Sequence, residues 1–515
     1  MNTASPLPAR VDLLVIGGGI TGAGIALEAA RRGVGVLLVE ARDYAWGTSS
    51  RSSKLVHGGL RYLREGRPGL TLESVRERDQ LLRELPGLVD PVGFLMAHRA
   101  TGTPGRHAMG AGLALYDLFA GHRSSGFASA TDVGLLAPGV DTAGLDGASL
   151  YLDATTDDAR LVLRILAEAR AYGTQTRNYL AATLRRDAQG EVTGATLHCA
   201  RSGTDTDIDA GCVIAAAGVW VDRLRAQVGG ARCLRPLRGS HLLLPAWRLP
   251  LARAVAFLHP ADRRPVFAYP WQGCTLVGTT DLDHADLERE PAITRLELDY
   301  LFAGLNAQFP GLAATDADVI STWAGVRPVI DSGKGLAPSQ ESREHLVRSE
   351  HGLISVTGGK LTTFRRIARD TLNHAAPRLP TLRAPADDAI IPRHPMPDAL
   401  RALPPALATR LFARHGRVAA DLVASAPPHD VACIAGTQTP WAELRWAARL
   451  EQVHHLDDLL LRRTRLGLTL REGAAALLPR LEPLLADECG WDTARWRDEC
   501  ARYADMIATA YSLPP

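Results

Sequence analysis

Residues 11–40 read VDLLVIGGGITGAGIALEAARRGVGVLLVE. The apolar run 11–16 is typical of a buried β-strand, and it leads into the turn Gly-Gly-Gly-Ile-Thr-Gly. The small residues of 20–32 favour a helix, and a second apolar run ends in Glu40. A Gly-x-Gly-x-x-Gly sequence alone is weak in a chain with 48 glycines, but strand, turn, helix, strand and acid at this spacing predict a dinucleotide site.

Four residues of this stretch have separate roles in the prediction. Gly17 allows the tight turn, and Gly19 lets a pyrophosphate approach the N-terminus of the helix. Gly22 lets the helix and the strand pack closely, and Glu40 can accept hydrogen bonds from an adenosine ribose. The motif does not identify the dinucleotide.

The composition is that of an ordinary globular protein. The chain has 515 residues, 46% of them hydrophobic and 22% charged, and this length predicts two to four domains. The net charge of +2 gives no whole-protein argument for nucleic-acid binding. The seven cysteines form no Cys-x-x-Cys pair and no zinc spacing, which favours reduced thiols in a cytoplasmic protein.

No sequence segment predicts a secretory signal or a membrane span. Residues 1–10 lack an apolar core, and the longest uncharged run, 13–27, is glycine-rich and short for a transmembrane helix. The basic, apolar segment 456–466 is compatible with anionic lipid headgroups, and equally with an ordinary helix of a bundle. Peripheral attachment to a membrane therefore stays open.

The remaining pattern predicts three kinds of segment. A polar loop covers 47–62, and helices are expected at 72–85, after Asp157-Asp158, and at 364–376. Short strands are expected within 174–217, and alternating strands and turns over 236–325 predict an inserted antiparallel sheet. Prolines between 377 and 397 mark a linker, beyond which the pattern indicates a separate all-α domain, with Thr469-x-x-Glu472 as a helix start.

The chain resembles the FAD-dependent glycerol-3-phosphate dehydrogenases of the bacterial aerobic type. The long block 52–62, SSKLVHGGLRY, and the block 358–363, GGKLTT, are far more specific than the glycine motif. Where the family has Asn-Ala-Thr-Gly-Pro-Trp, this chain has Ala-Ala-Ala-Gly-Val-Trp at 215–220, near the adenosine half of the cofactor. The other blocks that carry the resemblance are 16–25, 48–50, 157–162, 239–241, 278–281, 325–328, 442–445 and 457–464.

The resemblance implies a fold, an activity and partners. The implied fold class is α/β: a Rossmann-like FAD-binding domain (1–75, 145–225 and 326–380), an inserted antiparallel-sheet substrate domain (76–144 and 226–325) and a C-terminal helical domain (385–515). The implied reaction is oxidation of sn-glycerol 3-phosphate to dihydroxyacetone phosphate by hydride transfer to N5 of noncovalent FAD. A membrane quinone takes the electrons, the protein lies on the cytoplasmic face of the inner membrane, and a homodimer is suggested.

The substrate determines which side chains are needed. A dianionic phosphate calls for cationic donors, for which Arg61, Arg327, Arg343 and Lys360 are the candidates. His241 is the candidate acceptor for the hydroxyl proton, although it could simply hydrogen-bond the substrate or the sheet. In that case Arg327 or Lys360 would stabilise the developing alkoxide and solvent would take the proton.

The catalytic candidates are therefore His241, Arg327 and Lys360. Tyr62 is expected either to donate a hydrogen bond to the substrate or to pack on the flavin-side loop. Thr362 and Thr363 lie where a helix begins, so the backbone N–H groups there could stabilise negative charge at N1 and O2 of the flavin. The substrate-binding candidates are Arg61, Tyr62, Arg343 and Thr362.

The cofactor-binding candidates come from the same blocks. They are Gly17, Gly19, Ile20, Thr21, Gly22, Glu40, Thr48, Ser49, Ser50, Lys54, His57, Gly58, Gly218, Trp220, Gly359, Lys360, Leu361, Thr362 and Thr363. No metal site is predicted, because adjacent helical residues such as His454 and His455 point about 100° apart. With Asp457 they are interpreted as a solvated helix face.

Two other functions remain as alternatives. One is an O2-using flavin oxidase of the same superfamily, acting on glycerol 3-phosphate or on an amine. The other is a flavin-bound scaffold without turnover, whose signature would be loss of the substrate residues. The arginine candidates argue against an amine, and the presence of Arg61, His241, Arg327 and Lys360 argues against a scaffold.

Overall fold

The computed structural model describes residues 6–64, 66–99, 105–336, 341, 344–385 and 387–514. Its strands are β1 (Arg10–Ile16), β2 (Val36–Val39), β3 (Leu55–Val56), β4 (Val89–Arg99), β5 (Gly126–Ala128), β6 (Leu145–Thr156), β7 (Gln175–Arg177), β8 (Leu180–Arg186), β9 (Val192–Cys199), β10 (Asp205–Ala215), β11 (Leu234–Pro245), β12 (Ala254–Leu258), β13 (Pro265–Trp271), β14 (Cys274–Gly278), β15 (Leu282–Asp283), β16 (Ser321–Ile330), β17 (His345–Glu350) and β18 (Leu353–Gly358).

The helices alternate with strands in the first half and dominate after residue 363. They are α1 (Ile20–Arg31), α2 (Leu60–Arg64), α3 (Pro68–Glu84), α4 (Arg106–Ala120), α5 (Ala130–Leu136), α6 (Asp158–Ala171), α7 (Val221–Ala226), α8 (Arg295–Gln308), α9 (Phe364–Ala375), α10 (Asp398–Arg401), α11 (Pro405–His415), α12 (Ala419–Ser425), α13 (Trp441–Leu450), α14 (Leu466–Thr469), α15 (Leu478–Cys489) and α16 (Thr493–Met506).

The first sheet has a parallel core in the order β18-β10-β1-β2-β7. β17 pairs antiparallel with β18 at one edge, and β8 and β9 extend β10 as an antiparallel ladder. Helices α1, α6 and α9 pack on this sheet and against each other, and their apolar residues share one core with the strands. The predicted Rossmann-like parallel sheet is confirmed, with α1 ending one residue earlier than expected.

The second sheet is mixed and runs in the order β15-β11-β14-β13-β12-β4-β6-β3. β16 pairs with β11 and β5 pairs with β6; β4 and β12 run parallel, and the other pairs are antiparallel. The predicted antiparallel ladder within 236–325 is present as β11, β14, β13 and β12. This sheet also contains β6 and β16, so the division of the chain into domains at 145 and 326 stays a proposal.

The C-terminal helices pack on the second sheet. Leu460 and Trp441 lie in the same buried cluster as Phe94, Trp271 and Trp323 of that sheet. The packing of the helical region is therefore continuous with that of the sheet. None of the helices in the described ranges is both long enough and apolar enough to cross a membrane.

Arginines from the C-terminal region reach carboxylates of the first half of the chain. Arg462 and Arg463 both bind Asp43, at 2.5 and 2.6 Å. Burial alone would raise the pKa of Asp43, but the two guanidinium groups hold that pKa well below its usual range.

A second buried cluster joins the same two parts of the chain. Arg465 binds Asp157 at 2.8 Å and also binds Asp158, and Arg414 binds Asp157 at 3.0 Å. Asp157 caps α6 by accepting from the backbone N–H of Arg160, and Asp158 begins that helix. The acids that the sequence places at a helix start thus also hold the C-terminal region in place.

The structure decides between the two interpretations of segment 456–466 and corrects that of Asp457. Leu459, Leu460, Arg462 and Arg463 are buried, so this segment presents no basic face to lipid. The solvated-face interpretation is wrong for Asp457, which is buried and bound to Arg462 at 2.5 Å. In the described part of the chain there is no group of His, Cys, Asp and Glu arranged to hold a metal ion.

The expected helix start at Thr469 is also wrong. Helix α14 ends there, and the Thr469 hydroxyl donates back to the carbonyl of Arg465 at 3.3 Å. Glu472, the other half of the supposed capping pair, has a φ of +54°, which no helix interior adopts. The sequence pattern was present without the backbone geometry that a cap requires.

Candidate active site

A cavity of about 850 Å³ lies between the two sheets. On one side it meets the carboxyl ends of β1 and β10, which are neighbours in the first sheet although eight other strands lie between them along the chain. Such a topological switch point is where open α/β sheets bind ligands. The opposite side of the cavity is lined by residues of the second sheet, so the cavity has a dinucleotide end and a second-sheet end.

The glycine turn forms the dinucleotide end. Gly17 has a φ of +121°, and a Cβ there would lie 2.4 Å from the carbonyl oxygen of Ala216. A Cβ at Gly22 would lie 1.9 Å from the carbonyl oxygen of Gly17, so the turn and α1 are in direct backbone contact. Gly19 caps α1 without a side chain, and Ser49 Oγ accepts from the N–H of Ile20 at 3.0 Å.

Glu40 closes the turn from the neighbouring strand. Its carboxylate accepts from the N–H of Gly18 at 2.7 Å and from that of Arg42 at 2.9 Å. Burial raises the pKa of Glu40, and these two backbone hydrogen bonds oppose that rise. The residue lines the cavity immediately after β2, where an adenosine ribose is expected.

The glycines after β18 bring a second backbone segment to the cavity. Gly358 and Gly359 have φ values of +78° and +74°, and a single helical turn, Leu361–Thr363, follows before α9. No side chain of the described residues caps that turn. The Thr362 hydroxyl donates to the carbonyl of His57 at 3.4 Å, which joins this segment to the polar loop 47–62.

His241 lies on β11 at the second-sheet end. Its ring is 1% exposed and stacks on Trp323, with centroids 5.0 Å apart and planes at 12°. Nε2 is 2.8 Å from Ser53 Oγ, and Nδ1 makes no hydrogen bond to a described residue. Burial holds the pKa of His241 well below its ordinary value, and Arg327 and Lys54 lower it further, so the imidazole is neutral at pH 7.

Two arginines share one carboxylate beside His241. Arg327 Nη1 lies 2.9 Å from Asp281 Oδ1, and Arg264 Nη2 lies 3.4 Å from Asp281 Oδ2. Arg327 Nη2 also donates to Thr279 Oγ1 at 3.1 Å. A Cβ at Gly239 would lie 2.2 Å from Arg327 Nη2, so a larger residue there would displace the guanidinium.

Lys360 brings a further cation to the cavity. Its Nζ donates to Ser74 Oγ at 2.5 Å and lies 4.4 Å from the centre of the Tyr62 ring. Tyr62 is buried and lines the cavity. A cation over an aromatic face is stabilised by the ring quadrupole, so this contact helps to fix where Lys360 points.

Most of the residues predicted from the sequence meet in this cavity. Those that line it are Gly17, Gly19, Ile20, Thr21, Glu40, Thr48, Ser49, His57, Tyr62, Gly218, Trp220, His241, Arg327, Gly359, Lys360, Leu361 and Thr362. Arg343 and the side chain of Arg61 lie outside the described residues.

Five predicted cofactor residues lie beside the cavity rather than in its lining. Lys54 is fully buried and donates to Asp158 at 3.1 Å, and the N–H of Gly58 donates to Asp153 at 2.9 Å. Thr363 donates to the carbonyl of Lys360 at 3.5 Å. The other two are Gly22, which packs on Gly17, and Ser50, which is buried in its own turn.

Among the lining residues that the sequence reasoning did not select, Ser53, Arg264 and Asp281 contact the candidate catalytic groups or each other. Ser53 and Asp281 lie within the blocks 52–62 and 278–281, so the blocks contained them but gave no reason to select them. Arg264 lies in none of the blocks, and its position follows from the pairing of β13 with β12 and β14. No local sequence signal could have identified it.

Comparisons with known proteins agree with this geometry. A family model described as FAD dependent oxidoreductase matches residues 12–365, and one described as the C-terminal domain of alpha-glycerophosphate oxidase matches 354–496. The chain is 38% identical to the aerobic glycerol-3-phosphate dehydrogenase of Staphylococcus aureus over 375 residues, 72% of this chain and 67% of that relative. The chain belongs to the FAD-dependent glycerol-3-phosphate dehydrogenase family.

Two solved structures share the fold of this chain. The glycerol-3-phosphate dehydrogenase from Bacillus halodurans, complexed with FAD, superposes with a TM-score of 0.75 at 29% identity and covers 97% of this chain and 94% of its own. A second solved structure is the L-alpha-glycerophosphate oxidase of Mycoplasma pneumoniae, which is 19% identical and superposes with a TM-score of 0.58. The match covers 75% of this chain and 99% of that chain, and at this identity it establishes only a shared fold.

FAD is the dinucleotide of this family member, and the residues of the cavity fit it. The N-terminus of α1, where Gly19 supplies no side chain, offers N–H groups to a pyrophosphate, and Glu40 lies where a ribose is expected. Gly358 and Gly359 adopt positive φ values that other residues rarely reach, and this brings their backbone into the cavity lining. The prediction of FAD as cofactor is confirmed.

Proposed function

We propose that the protein oxidises sn-glycerol 3-phosphate to dihydroxyacetone phosphate. The observation that carries this proposal is the second-sheet end of the cavity, where a neutral His241 lies near the cationic group of Arg327, which shares Asp281 with Arg264. Lys360 lines the same cavity from the segment after β18. FAD, when bound, supplies the acceptor for the hydride from C2. The protein supplies phosphate binding, orientation and a proton acceptor.

Each group has a separate task in this proposal. Arg327 and Lys360 bind the phosphate, and Arg327 is oriented for this by Asp281 and Thr279. His241 Nε2 accepts the hydroxyl proton, because Nδ1 is enclosed by protein whereas Nε2 already faces a hydroxyl group, that of Ser53. The depressed pKa of His241 keeps the imidazole neutral, and the tautomer with the proton on Nδ1 leaves Nε2 able to accept.

We infer further that a membrane quinone receives the electrons and that the protein attaches peripherally to the cytoplasmic face of the inner membrane as a homodimer. This finer proposal is supported by the similarity to an enzyme named as aerobic glycerol-3-phosphate dehydrogenase.

A second candidate function is supported by a specific observation. Residues 354–496 match a model of the C-terminal domain of alpha-glycerophosphate oxidase, and an oxidase passes its electrons to O2. The two candidates share the substrate and the hydride step and differ in the electron acceptor alone.

The deciding experiment is an anaerobic titration of the purified yellow protein with sn-glycerol 3-phosphate, followed by the visible absorption of the flavin. Stoichiometric bleaching supports the substrate. Recovery of the absorption with a soluble quinone analogue faster than with air supports the quinone, whereas rapid recovery in air with peroxide formation supports the oxidase. An unbleached spectrum with FAD bound would contradict the substrate assignment.

A further inference from the structure

We propose that Arg264 is a second phosphate-binding residue of the substrate site and that Asp281 is the positioning residue for both arginines. This inference rests on the proposed function, because it names the part of the cavity that receives the phosphate. The ligand class is a phosphate monoester dianion.

The geometry places the two guanidinium groups as a pair. They approach opposite oxygens of the same carboxylate, Arg327 at Oδ1 and Arg264 at Oδ2. The carboxylate is 3% exposed, whereas the arginine side chains are 24% and 25% exposed and line the cavity. Asp281 thus lies in the cavity wall with its carboxylate covered, whereas the two guanidinium groups that bind it are partly exposed.

The charges at this end favour an anion. Asp281 compensates one guanidinium, so Arg264, Asp281 and Arg327 together carry one net positive charge. Lys360 is a further cation of the same cavity, on the segment that follows β18. Without the buried carboxylate, two adjacent guanidinium groups would repel each other, which explains why a negative residue belongs in a site for an anion.

The strands bring Arg264 to this position by long-range pairing. It directly precedes β13, which pairs with β14, and β14 is followed by Thr279 and Asp281. Arg327 lies on β16, which pairs with β11 beside β14. Four consecutively paired strands of one sheet, β13, β14, β11 and β16, therefore set the spacing between the two guanidinium groups.

The test compares Arg264→Gln with Arg263→Gln. Arg263 is the adjacent residue, carries the same charge, is exposed and is not part of the cavity lining. Phosphate binding to the oxidised holoenzyme is measured by calorimetry with inorganic phosphate, and KM is measured with sn-glycerol 3-phosphate. Both variants must have the same flavin content as the wild type for these measurements to be compared.

For Arg264→Gln we expect the dissociation constant for phosphate and the KM to rise by about 10-fold to 100-fold, the usual effect of losing a charge-assisted hydrogen bond. For Arg263→Gln we expect less than about a twofold change in either, as for an exposed charge. Equal values for wild type and Arg264→Gln, or no phosphate binding by the wild type, would overturn the inference. The calorimetry needs no turnover, so it tests the inference separately from the proposed function. If phosphate binding depends on Arg264 but glycerol 3-phosphate does not bleach the flavin, the proposed function is contradicted and the inference about Arg264 stands.

The positioning role of Asp281 has its own test. Asp281→Asn removes a negative charge from an anion site, so a site that acted by charge alone would bind phosphate more tightly. If Asp281 orients the arginines, phosphate binds more weakly and KM rises while kcat changes little. Tighter phosphate binding by Asp281→Asn would overturn the positioning role.

Discussion

The two ends of the cavity are built in different ways. The dinucleotide end is made largely by consecutive residues and by backbone: Gly22 packs on Gly17 and Glu40 binds the N–H of Gly18, both within 11–40. The second-sheet end is made by side chains such as His241 and Arg327, which belong to strands far apart in the chain. The cofactor site is thus encoded locally, whereas the substrate site exists only when the second sheet has formed.

The largest expected effect is on the dinucleotide end. Gly22→Ala places a Cβ 1.9 Å from the carbonyl oxygen of Gly17, so α1 must move and FAD should be lost entirely. The matched control is Gly112→Ala in α4, where a Cβ meets nothing within 4 Å. The ratio of flavin to protein absorbance measures retention, and circular dichroism reports the fold. Full flavin content in Gly22→Ala would show that the turn is not the nucleotide site.

The next effect is on the packing that supports the cavity. Arg465→Met leaves Asp157 buried with Arg414 as its remaining side-chain cation, and we expect a loss of about 3–5 kcal/mol of unfolding free energy. Arg401→Met, which breaks an exposed pair with Asp398, should cost less than about 1 kcal/mol. Urea unfolding measures both. Equal losses would mean that the buried pair contributes no more than a surface one.

A smaller effect tests whether the two ends of the cavity function independently. Arg327→Met should lower kcat/KM for glycerol 3-phosphate, and the decrease should correspond to a loss of about 2–4 kcal/mol of transition-state stabilisation. The variant should keep its FAD. Arg289→Met, at a side chain that is 89% exposed, is the control. Loss of FAD in Arg327→Met would show that the two ends are not independent.

The smallest expected effect is on pH dependence. The pKa of His241 lies well below 6.5, so kcat should show no loss between pH 8 and about 6 from protonation of this residue. Arg327→Met removes a nearby cation and should move any acid limb to higher pH. In the unfolded chain this histidine takes up a proton below its ordinary pKa, so its contribution to stability falls as pH decreases through that range. A wild-type acid limb centred near pH 6.5 would argue against His241 as a buried neutral base.

These differences explain what the sequence could predict. The limits of β1, α1 and β2 follow from local periodicity and agree with the structure to within one or two residues. The long pairing of β4 with β6 leaves no local pattern, and Arg264 reaches the cavity through such pairing. Segment 456–466 looks amphipathic, but its arginines face buried carboxylates that lie 300 or more residues earlier. The periodicity of a sequence indicates that one face of a helix is polar, but it does not indicate which residues pack against that face.

The arginines of the C-terminal region also bear on how the protein is made. Asp43 is bound by Arg462 and Arg463, and Asp157 by Arg414 and Arg465, so the cations for both carboxylates leave the ribosome late. Until then, burying either carboxylate would leave it uncompensated, which is strongly unfavourable. The packing around Asp43 and Asp157 is therefore completed only after these arginines have been synthesised, so the C-terminal region contributes to the final structure of the nucleotide-binding half.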